Sequence, residues 1–331
     1  MDRKDFTEEI AKFLPQRLRS YFKLLKDEEL DKLQEIRLRV NRPLNLILGD
    51  RDLFLGKDGL HTDPFRGEII KRDDLGQAIL FLSNHSIYAL KEELRQGFIT
   101  IPGGHRVGFV GSGIIKAGKI DQIKDFSGIN FRITREIKGC ANPVIPQLIK
   151  ASGDIHHTMI VSPPRCGKTT LLRDIIRQLS NGWSGFSGLK VGVVDERSEL
   201  AGSFQGIPHH DLGVRTDVLD HCPKSTGMYL LIRSMSPQVI ATDEIGSAED
   251  VAAIQEAVRA GIRLIVTVHG SNLRELMDRP ILKELLTSKI FTRYVLLSNR
   301  NGAGTIEGVY DQDLTKIFKV GPAVKERFRY G

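Results

Sequence analysis

The sequence contains little cysteine, and this scarcity excludes two kinds of site. Three cysteines, Cys140, Cys166 and Cys222, occur among 331 residues. They are widely spaced and form no C-x-x-C pair, which argues against a disulfide framework and a zinc ribbon and fits a reducing compartment. The histidine clusters match no metal-binding spacing, and we assign them to surface loops. These clusters are His156-His157, His209-His210 and His221 with Cys222.

Long apolar runs are also missing. No run approaches the roughly 18 residues that a membrane-spanning helix needs. The first residues mix charges and lack the apolar core of a secretory signal, so we expect a soluble, cytoplasmic protein. Basic residues outnumber acidic ones, 48 to 41, which gives a net charge of +7. This excess suits an anionic partner such as nucleotide, nucleic acid or acidic lipid, without choosing among them.

One short stretch, residues 161–170, carries most of the functional information. An apolar β-type run, residues 158–161, precedes it, and residues 171–176 place apolar side chains at helical spacing. In a strand-loop-helix unit of this kind, backbone N–H groups and the positive end of the helix surround phosphate groups. The lysine reaches the β- and γ-phosphates and the next hydroxyl ligates Mg²⁺, so Lys168 and Thr169 are predicted to bind ATP and Mg²⁺. The predicted nucleotide-binding residues are Ser162, Pro163, Pro164, Arg165, Cys166, Gly167, Lys168, Thr169 and Thr170.

Two residues of this loop depart from the G-x-x-x-x-G-K-[ST] pattern. Ser162 stands at the first glycine position, and Arg165 occupies another position that is commonly glycine. Both tolerate unusual backbone angles less well than glycine, so we expect weaker nucleotide binding than usual. The alternative is a chance Gly-Lys-Thr in a turn, which the flanking strand and helix argue against.

Polar residues follow three further buried-type strands. Residues 189–194 run into Asp195-Glu196-Arg197, residues 239–242 into Asp243-Glu244, and residues 264–268 into His269. Nucleotide sites in open α/β sheets lie beyond the carboxyl ends of the strands. We therefore expect these side chains to meet the phosphate loop in one crevice.

The pair Asp243-Glu244 predicts the second half of a P-loop ATPase site. Asp243 would hold Mg²⁺, usually through water, and Glu244 would orient the attacking water. An Asp-Glu pair after a strand also begins ordinary turns, but the upstream Lys168-Thr169 favours the catalytic interpretation. We predict that His269 senses the γ-phosphate, with a purely structural histidine as the alternative.

The first 140 residues predict a smaller α+β domain. Helical spacing occurs over residues 6–14, 18–25, 75–82 and 87–94. Alternation predicts strands at residues 35–40, 44–48 and 128–135, and a hairpin of residues 98–101 and 106–110. The basic face of the second helix suggests either a membrane-surface helix or a solvated face above a core, and core packing is favoured.

We place the domain boundary near Cys140. The predicted fold is α/β: an N-terminal α+β domain over residues 1–140, then a P-loop ATPase domain over residues 141–331. The second domain is expected to be RecA/AAA+-like with a mainly parallel sheet. Residues 293–297 and 305–310 predict a late hairpin around Asn301-Gly302, followed by a basic tail.

Together these motifs resemble the stage III sporulation protein AA family of the secretion-ATPase superfamily, over nearly the whole chain. The resemblance rests on residues 35–39, 42–43, 102–108, 162–174, 195–199, 212–220, 222–224, 232–237 and 268–270. It implies that Asp195-Glu196 is the superfamily's aspartate box, with Glu196 catalytic, that Asp243-Glu244 is its Walker B motif, and that His269 is its histidine box.

The resemblance also implies hexameric rings. In related secretion ATPases, arginines of the N-terminal domain reach the bound nucleotide, which makes Arg106, Arg132 and Arg135 catalytic candidates. Arg215 and Arg233 lie in the ATPase domain and are candidates for contact with a neighbouring subunit's site.

The function implied by the resemblance is a Mg²⁺-dependent ATPase in the mother-cell cytoplasm. It would power or assemble a channel complex in the membranes around the developing spore. The implied partners are other copies of the chain and a membrane-embedded channel protein, with membrane contact only through that partner and no nucleic acid. Two alternatives remain open: a nucleic-acid-dependent motor with the same core and charge, and a ring scaffold that binds nucleotide without significant turnover.

Overall fold

A computed structural model of the protein describes residues 3–84, 97–116, 118–183 and 185–318. Contacts divide the chain into two compact units between Arg135 and Glu136, and the predicted boundary lies slightly later, at Cys140. The predicted helix over residues 87–94 and most of the predicted basic tail lie outside the described residues. Within the described part of the chain, no helix has the length and apolar character to cross a membrane.

The N-terminal unit is built around one antiparallel sheet. Its strands are β1 Leu33–Arg39, β2 Asn45–Leu48, β3 Arg51–Gly56, β4 Gly59–His61, β5 Phe98–Ile101, β6 His105–Lys116 and β7 Lys119–Arg132. Its described α-helices are α1 Arg3–Glu9, α2 Gln16–Phe22, α3 Asp27–Leu30 and α4 Arg72–Leu82, with 3₁₀ turns at Ala11–Phe13, Pro64–Arg66 and Pro102–Gly104. The strand order is β4-β3-β2-β1-β7-β6-β5. The predicted α+β character of this region is confirmed.

The helices of this unit pack their apolar stripes into its core. Leu18, Phe22 and Leu25, at helical spacing, are buried together with Ile36 of β1 and Phe131 of β7. Each such side chain contributes roughly 1.5–3 kcal/mol when it leaves water. The core-packing interpretation of the second helix is therefore confirmed over the membrane-surface alternative.

Strands β6 and β7 continue well beyond the sheet as a two-stranded ribbon. The predicted strands covered residues 106–110 and 128–135, but Ser112 pairs with Lys124 and Lys116 pairs with Lys119. Side chains on the ribbon are largely exposed, and Val110 and Ile115 are 58% and 62% exposed. Because the side chains of residues 111–116 are all exposed, this stretch lacks the alternating pattern that identified the other strands.

The second unit contains an α/β sheet with helices on both faces. Its strands are β8 Thr158–Ser162, β9 Gly182–Trp183, β10 Phe186–Ser187, β11 Val191–Asp195, β12 Thr216–Asp220, β13 Val239–Thr242, β14 Arg263–His269, β15 Arg293–Ser298, β16 Thr305–Asp311 and β17 Lys316–Phe318. Its helices are α5 Ile145–Leu148, α6 Lys168–Asn181, α7 Lys224–Ser234, α8 Ala248–Arg259, α9 Leu273–Met277 and α10 Pro280–Thr287.

Eight of these strands form one sheet in the order β12-β11-β13-β14-β8-β15-β16-β17. The pairs from β12 to β15 are parallel, and the last two pairs are antiparallel. Because Val194 pairs with Thr242 and His269 pairs with Ser162, the phosphate loop, both Asp-Glu pairs and His269 follow strand ends at one edge. The predicted mainly parallel sheet and the late hairpin are confirmed.

Alternate residues of the central strands supply two separate cores. Ile160 and Ala241 pack with Ile175 of α6 on one face, and Met159 packs with Ile254 of α8 on the other. Strands buried on both faces are near-continuous apolar runs, which is why the sequence identified four of them. The polar edge strand β12 was not predicted.

The histidines predicted on surface loops include two buried ones, so that prediction was wrong for them. His157 lies 3.0 Å from Arg263 Nη1 through its Nε2 atom. His210 Nδ1 lies 3.4 Å from a Glu136 carboxylate oxygen. Both rings therefore have structural partners within the second unit.

Candidate nucleotide-binding site

The phosphate loop connects the buried strand β8 to the long helix α6. Gly167 is the N-cap of α6 and has a left-handed backbone, with φ of 82°. A Cβ atom at Gly167 would lie 3.0 Å from Gly304 N, in the turn between β15 and β16. That turn also donates a 2.9 Å hydrogen bond from Gly304 N to the Cys166 carbonyl oxygen. Both the backbone angle and the close approach require glycine at position 167.

The two departures from the glycine pattern differ in their structural consequence. Ser162 is the last residue of β8, is fully buried, and donates its hydroxyl to the Pro163 carbonyl oxygen at 2.8 Å. An extended strand residue needs no glycine, so the expected backbone cost at this position does not arise. Arg165 has a left-handed φ of 59°, and the strain that we expected in the loop is confined to it.

The first residues of α6 contact the second Asp-Glu pair directly. Thr169 Oγ1 donates to Asp243 Oδ2 at 2.6 Å, and Lys168 Nζ donates to Glu244 Oε1 at 2.6 Å. Lys168 Nζ is also 3.6 Å from Asp243 Oδ1. Thr267 of β14 donates its hydroxyl to Asp243 and accepts from the Glu244 backbone N–H at 2.9 Å. The structure thus brings together the predicted residues of two motifs that lie far apart in the sequence.

Glu244 is surrounded by cationic and imidazole groups. His269 Nε2 lies 2.8 Å from Oε1, and Arg197 Nη1 donates to Oε2 at 2.9 Å. Burial alone would raise the pKa of Glu244, but the hydrogen bond and charge of Lys168, with His269 and Arg197, lower this pKa to about 2. Its side chain is therefore a carboxylate at neutral pH.

The first Asp-Glu pair has a different environment. Asp195 is 2% exposed, and its carboxylate accepts backbone N–H groups from Glu199 at 2.8 Å, Leu200 at 2.9 Å and Ala201 at 2.8 Å. Burial raises the pKa of Asp195 to about 6, against the effect of these donors. Buried Arg173 of α6 holds the same turn by donating to the Glu199 and Leu200 carbonyl oxygens. Asp195 therefore organises the loop after β11.

The next residue, Glu196, points into a small cleft. Its carboxylate accepts a hydrogen bond from Lys224, the first residue of α7. The cleft is lined by Asp195, Glu196, Arg197, Glu199, Lys224, Asp243 and Glu244. Glu196 thus shares a cleft with the second Asp-Glu pair, whereas Asp195 is turned into its own loop.

The predicted arginines of the N-terminal unit fall into two environments. Arg106 and Arg132 face each other across strands β6 and β7, and the Arg106 guanidinium lies 4.6 Å from the centre of the Phe98 ring. Arg135 is half-buried and donates to the Leu33 carbonyl oxygen at 3.0 Å. Burial lowers the pKa of Arg135. In the second unit, Arg215 and Arg233 are exposed, and Arg215 donates to the Ser180 carbonyl oxygen at 2.9 Å.

The structure adds four residues that the sequence analysis did not assign: Arg197, Lys224, Thr267 and Gly304. Arg197 and Lys224 belong to two of the motifs that carry the family resemblance, residues 195–199 and 222–224. Their membership in these motifs is the sequence feature that could have indicated them. Thr267 lies in the middle of an apolar strand, where a polar residue is unusual enough to be noticed. Nothing local marks Gly304, because its contact depends on the order of strands β8 and β15.

The residues at this edge fit a nucleotide with Mg²⁺. The hydroxyl of Thr169 and the carboxylate of Asp243 converge to 2.6 Å, and such oxygens are the ligands that Mg²⁺ prefers. Helix α6, with 14 residues, begins at the loop and directs its N-terminal N–H groups toward it. Among the described residues, no group of three or more His, Cys, Asp or Glu forms a complete metal site. Phosphate oxygens and water would therefore have to complete the coordination of Mg²⁺.

Comparison with known structures shows the fold. The ATPase DotB of Legionella pneumophila superposes with a TM-score of 0.52 at 17% identity, over 83% of this chain and 74% of that one. The pilus retraction motor PilT, solved with bound ADP, gives a TM-score of 0.53 at 13% identity, over 82% of this chain and 78% of that one. The chain thus has the P-loop fold of secretion ATPases.

Comparison of sequences shows the family. The family model for sporulation stage III, protein AA matches residues 3–317. The chain is 42% identical over 305 residues to stage III sporulation protein AA of Bacillus subtilis (strain 168), covering 92% of this chain and 95% of that protein. It therefore belongs to the sporulation stage III, protein AA family.

Proposed function

We propose that the protein is a Mg²⁺-dependent ATPase of the secretion-ATPase type. The single observation that carries this proposal is the contact of Lys168 and Thr169 with Glu244 and Asp243, at 2.6 Å in each case. A lysine and a hydroxyl after one parallel strand, with two carboxylates after the next strand but one, form the arrangement that P-loop NTPases use on Mg-ATP.

Each of these residues has a distinct proposed role. The loop of residues 162–170 binds the phosphates through the backbone N–H groups of its non-proline residues, and Lys168 supplies the positive charge at the β- and γ-phosphates. Thr169 and Asp243 are the residues that would hold Mg²⁺. Bound Mg²⁺ would neutralise charge on the phosphate oxygens during transfer.

Glu244 is the residue that orients the attacking water. As a carboxylate held by Lys168 and His269 on one oxygen, it accepts a hydrogen bond from water and directs the water at the γ-phosphate. His269, in contact with Glu244, links this carboxylate to the state of the γ-phosphate. Glu196, in the same cleft, supports the reaction from the end of the neighbouring strand.

We further propose that the chain acts in a hexameric ring, as secretion ATPases with this fold are expected to do. Arg106, Arg132 and Arg135 are candidates for completing the site of the same or a neighbouring subunit, with Arg215 and Arg233 as further contacts. The exposure of Arg132 makes it the best of the three N-terminal candidates, because Arg135 already donates to the Leu33 carbonyl oxygen.

The proposed biological role follows from the family. The Bacillus subtilis relative is named for stage III of sporulation. We propose that this protein works in the mother-cell cytoplasm during endospore formation and powers or assembles a channel complex in the surrounding membranes. It would reach the membrane by docking on a membrane-embedded channel protein, and nucleic acid is not its proposed partner.

The test compares substitutions at the site with a matched lysine outside it. Lys168→Ala is expected to lose ATP binding and hydrolysis, because the substitution removes the positive charge proposed to bind the β- and γ-phosphates. Lys283→Ala, on the exposed side of α10, serves as the control and should keep the parent rate. ATP hydrolysis is measured with and without Mg²⁺, and ATP binding by equilibrium dialysis.

The outcomes separate the alternative functions. Hydrolysis that Lys168→Ala leaves unchanged would contradict the site. Tight Mg-ATP binding without turnover, in rings and with the channel partner present, would favour a scaffold. Submicromolar DNA binding that survives about 150 mM salt, with several-fold stimulation of hydrolysis, would favour a nucleic-acid motor, because non-specific electrostatic binding is weak there.

A further inference from the structure

Arg197 is carried by a loop whose backbone is fixed on both sides. Before it, Asp195 closes β11 and accepts three backbone N–H groups from residues 199–201. After it, Ser198 has a left-handed φ of 52°, and its hydroxyl oxygen accepts the Ser203 backbone N–H at 3.0 Å. Buried Arg173 holds the carbonyl oxygens of the same turn. The Cα position of Arg197 is therefore set by the protein interior.

The side chain of Arg197 leaves this fixed loop and reaches the second Asp-Glu pair. It is 63% exposed, and its Nη1 donates to Glu244 Oε2 at 2.9 Å. The other carboxylate oxygen, Oε1, faces Lys168 and His269. The two oxygens of Glu244 therefore have different partners, one on the side of the phosphate loop and one on the side of the β11 loop.

An ion pair whose arginine is largely exposed contributes little to stability. Stability alone therefore does not explain why a fixed loop aims an arginine at this carboxylate. Orientation does, because the terminal torsion of a glutamate side chain is broad and leaves the carboxylate free to rotate. A donor held on Oε2 from a fixed backbone restricts that rotation.

We propose that Arg197 is a positioning residue for Glu244: it holds Oε2 so that Oε1 stays directed at the phosphate side. This inference rests on the proposed ATPase function and deepens it. Arg197 acts through Glu244 and does not itself contact the reacting atoms. The loop after β11 thus serves the second Asp-Glu pair in addition to presenting Glu196.

The experiment is a double-substitution cycle on the full chain. Arg197→Ala should lower kcat by about 10- to 100-fold, as expected when a reacting group is misplaced by about an ångström. The KM for ATP should stay within about threefold, because the groups that bind the phosphates are untouched. Arg197→Lys should recover part of the loss, since a lysine donates to the same oxygen.

The control and the background test distinguish positioning from other roles. Arg259→Ala removes an arginine that pairs with Glu256 on the surface of α8, and it should keep the parent kcat and KM. In a Glu244→Gln background, Arg197→Ala should lower the remaining rate by less than about twofold, because coupled residues are not additive.

Three results would overturn the inference. An Arg197→Ala chain with the parent kcat would show that Glu244 needs no such holder. An equally large loss in the Glu244→Gln background would show that Arg197 acts on the phosphates directly. If no hydrolysis depends on Lys168, the proposed function and this inference are both overturned. If hydrolysis depends on Lys168 but is unchanged by Arg197→Ala, only the inference is overturned.

Discussion

The two Asp-Glu pairs lie at the ends of adjacent parallel strands, yet the carboxylates of their aspartates have different partners. Asp195, after β11, is buried and accepts three backbone N–H groups of its own loop. Asp243, after β13, accepts from Thr169 and Thr267 at the edge of the phosphate loop. The same residue pair in the same sequence context therefore builds a loop in one place and a candidate Mg²⁺ site in the other.

The position of each strand in the sheet explains the difference. From the phosphate-loop strand β8, the order runs through β14 to β13 and only then to β11. The aspartate after β13 is close enough to meet the first turn of α6, and Thr267 of β14 lies beside it. Asp195 lies one strand further from β8, and its carboxylate accepts hydrogen bonds from residues 199–201, where the chain folds back over it.

The largest expected difference concerns the glutamates of the two pairs. Glu244→Gln should lower kcat by about 10²–10⁴-fold, the usual contribution of such a group, while ATP binding remains because Lys168 is intact. Glu196→Gln should lose much less, since Glu196 meets Lys224 and not Lys168. Steady-state hydrolysis and equilibrium binding measure both. Equal losses in the two variants would show that the pairs act as one unit.

The next expected difference concerns the aspartates. Asp195→Ala leaves two buried N–H groups and one partly buried N–H group without an acceptor and should cost about 3 kcal/mol. For a domain of this size that lowers the thermal unfolding midpoint by about 6–12 °C. Asp243→Ala should change the midpoint less and abolish the Mg²⁺ dependence of hydrolysis. A stable, inactive Asp195→Ala chain would contradict the structural role of Asp195.

How far these pairs could be predicted depends on what each contact requires. The contacts of Lys168 and Thr169 with Asp243 and Glu244 could be predicted, because each motif is local and follows an apolar strand. The hydrogen bonds of Asp195 to its own loop could not be predicted, because they depend on how residues 199–201 fold back over it. Arg197 and Thr267 were missed because their roles depend on which strands are neighbours.

The fold shows the same division. The central parallel strands are continuous apolar runs, and the sequence predicted all four that end at the site. Strand β12 lies at the edge of the sheet with the sequence Thr-Asp-Val-Leu-Asp, and residues 111–116 of the β6–β7 ribbon are exposed, so neither segment has a pattern that burial would impose. Helices α7 to α10 were also not predicted.

A change of pH should sharpen the contrast between the acids. Burial raises the pKa of Asp195 from 3.8 to about 6, so the folded state binds its proton more tightly than the unfolded state. Protonation of Asp195 therefore adds to the free energy of unfolding; the contribution is complete below pH 3.8 and is lost as the pH rises through about 6. Its size is at most about 3 kcal/mol, at 1.36 kcal/mol per pKa unit. The unfolding midpoints of the parent and Asp195→Ala should therefore differ more at pH 4.5 than at pH 7.

The comparison with the variant is needed because other groups titrate in the same range. Burial lowers the pKa of His156 and of His157 to about 4, and this makes the parent less stable as pH falls. Both histidines are present in both chains, so their contribution cancels in the difference. A difference that is the same at both pH values would contradict the raised pKa of Asp195.

The smallest expected effect concerns the Thr267 hydroxyl, which contacts Asp243 and Glu244. Thr267→Val removes the donor to Asp243 and the acceptor of the Glu244 N–H, which should cost about 1–2 kcal/mol of stability and lower hydrolysis about tenfold. Thr242→Val is the matched control, because its hydroxyl donates to the Val194 carbonyl oxygen at 2.9 Å and touches neither acid. It should lose similar stability and keep the parent kcat, and thermal unfolding with steady-state kinetics measures both.

The turn between β15 and β16 contacts the phosphate loop at Gly304, and it is therefore a suitable position for a spectroscopic probe of that loop. Gly304 donates to the Cys166 carbonyl oxygen, and Gly167 leaves no room for a side chain between them. The hairpin tip is therefore in direct backbone contact with the phosphate loop. Asn301 is exposed at that tip, and Cys140 and Cys166 are buried, whereas Cys222 is partly exposed. With Cys222 replaced by serine, a dye on an Asn301→Cys chain would report loop movement from outside the site.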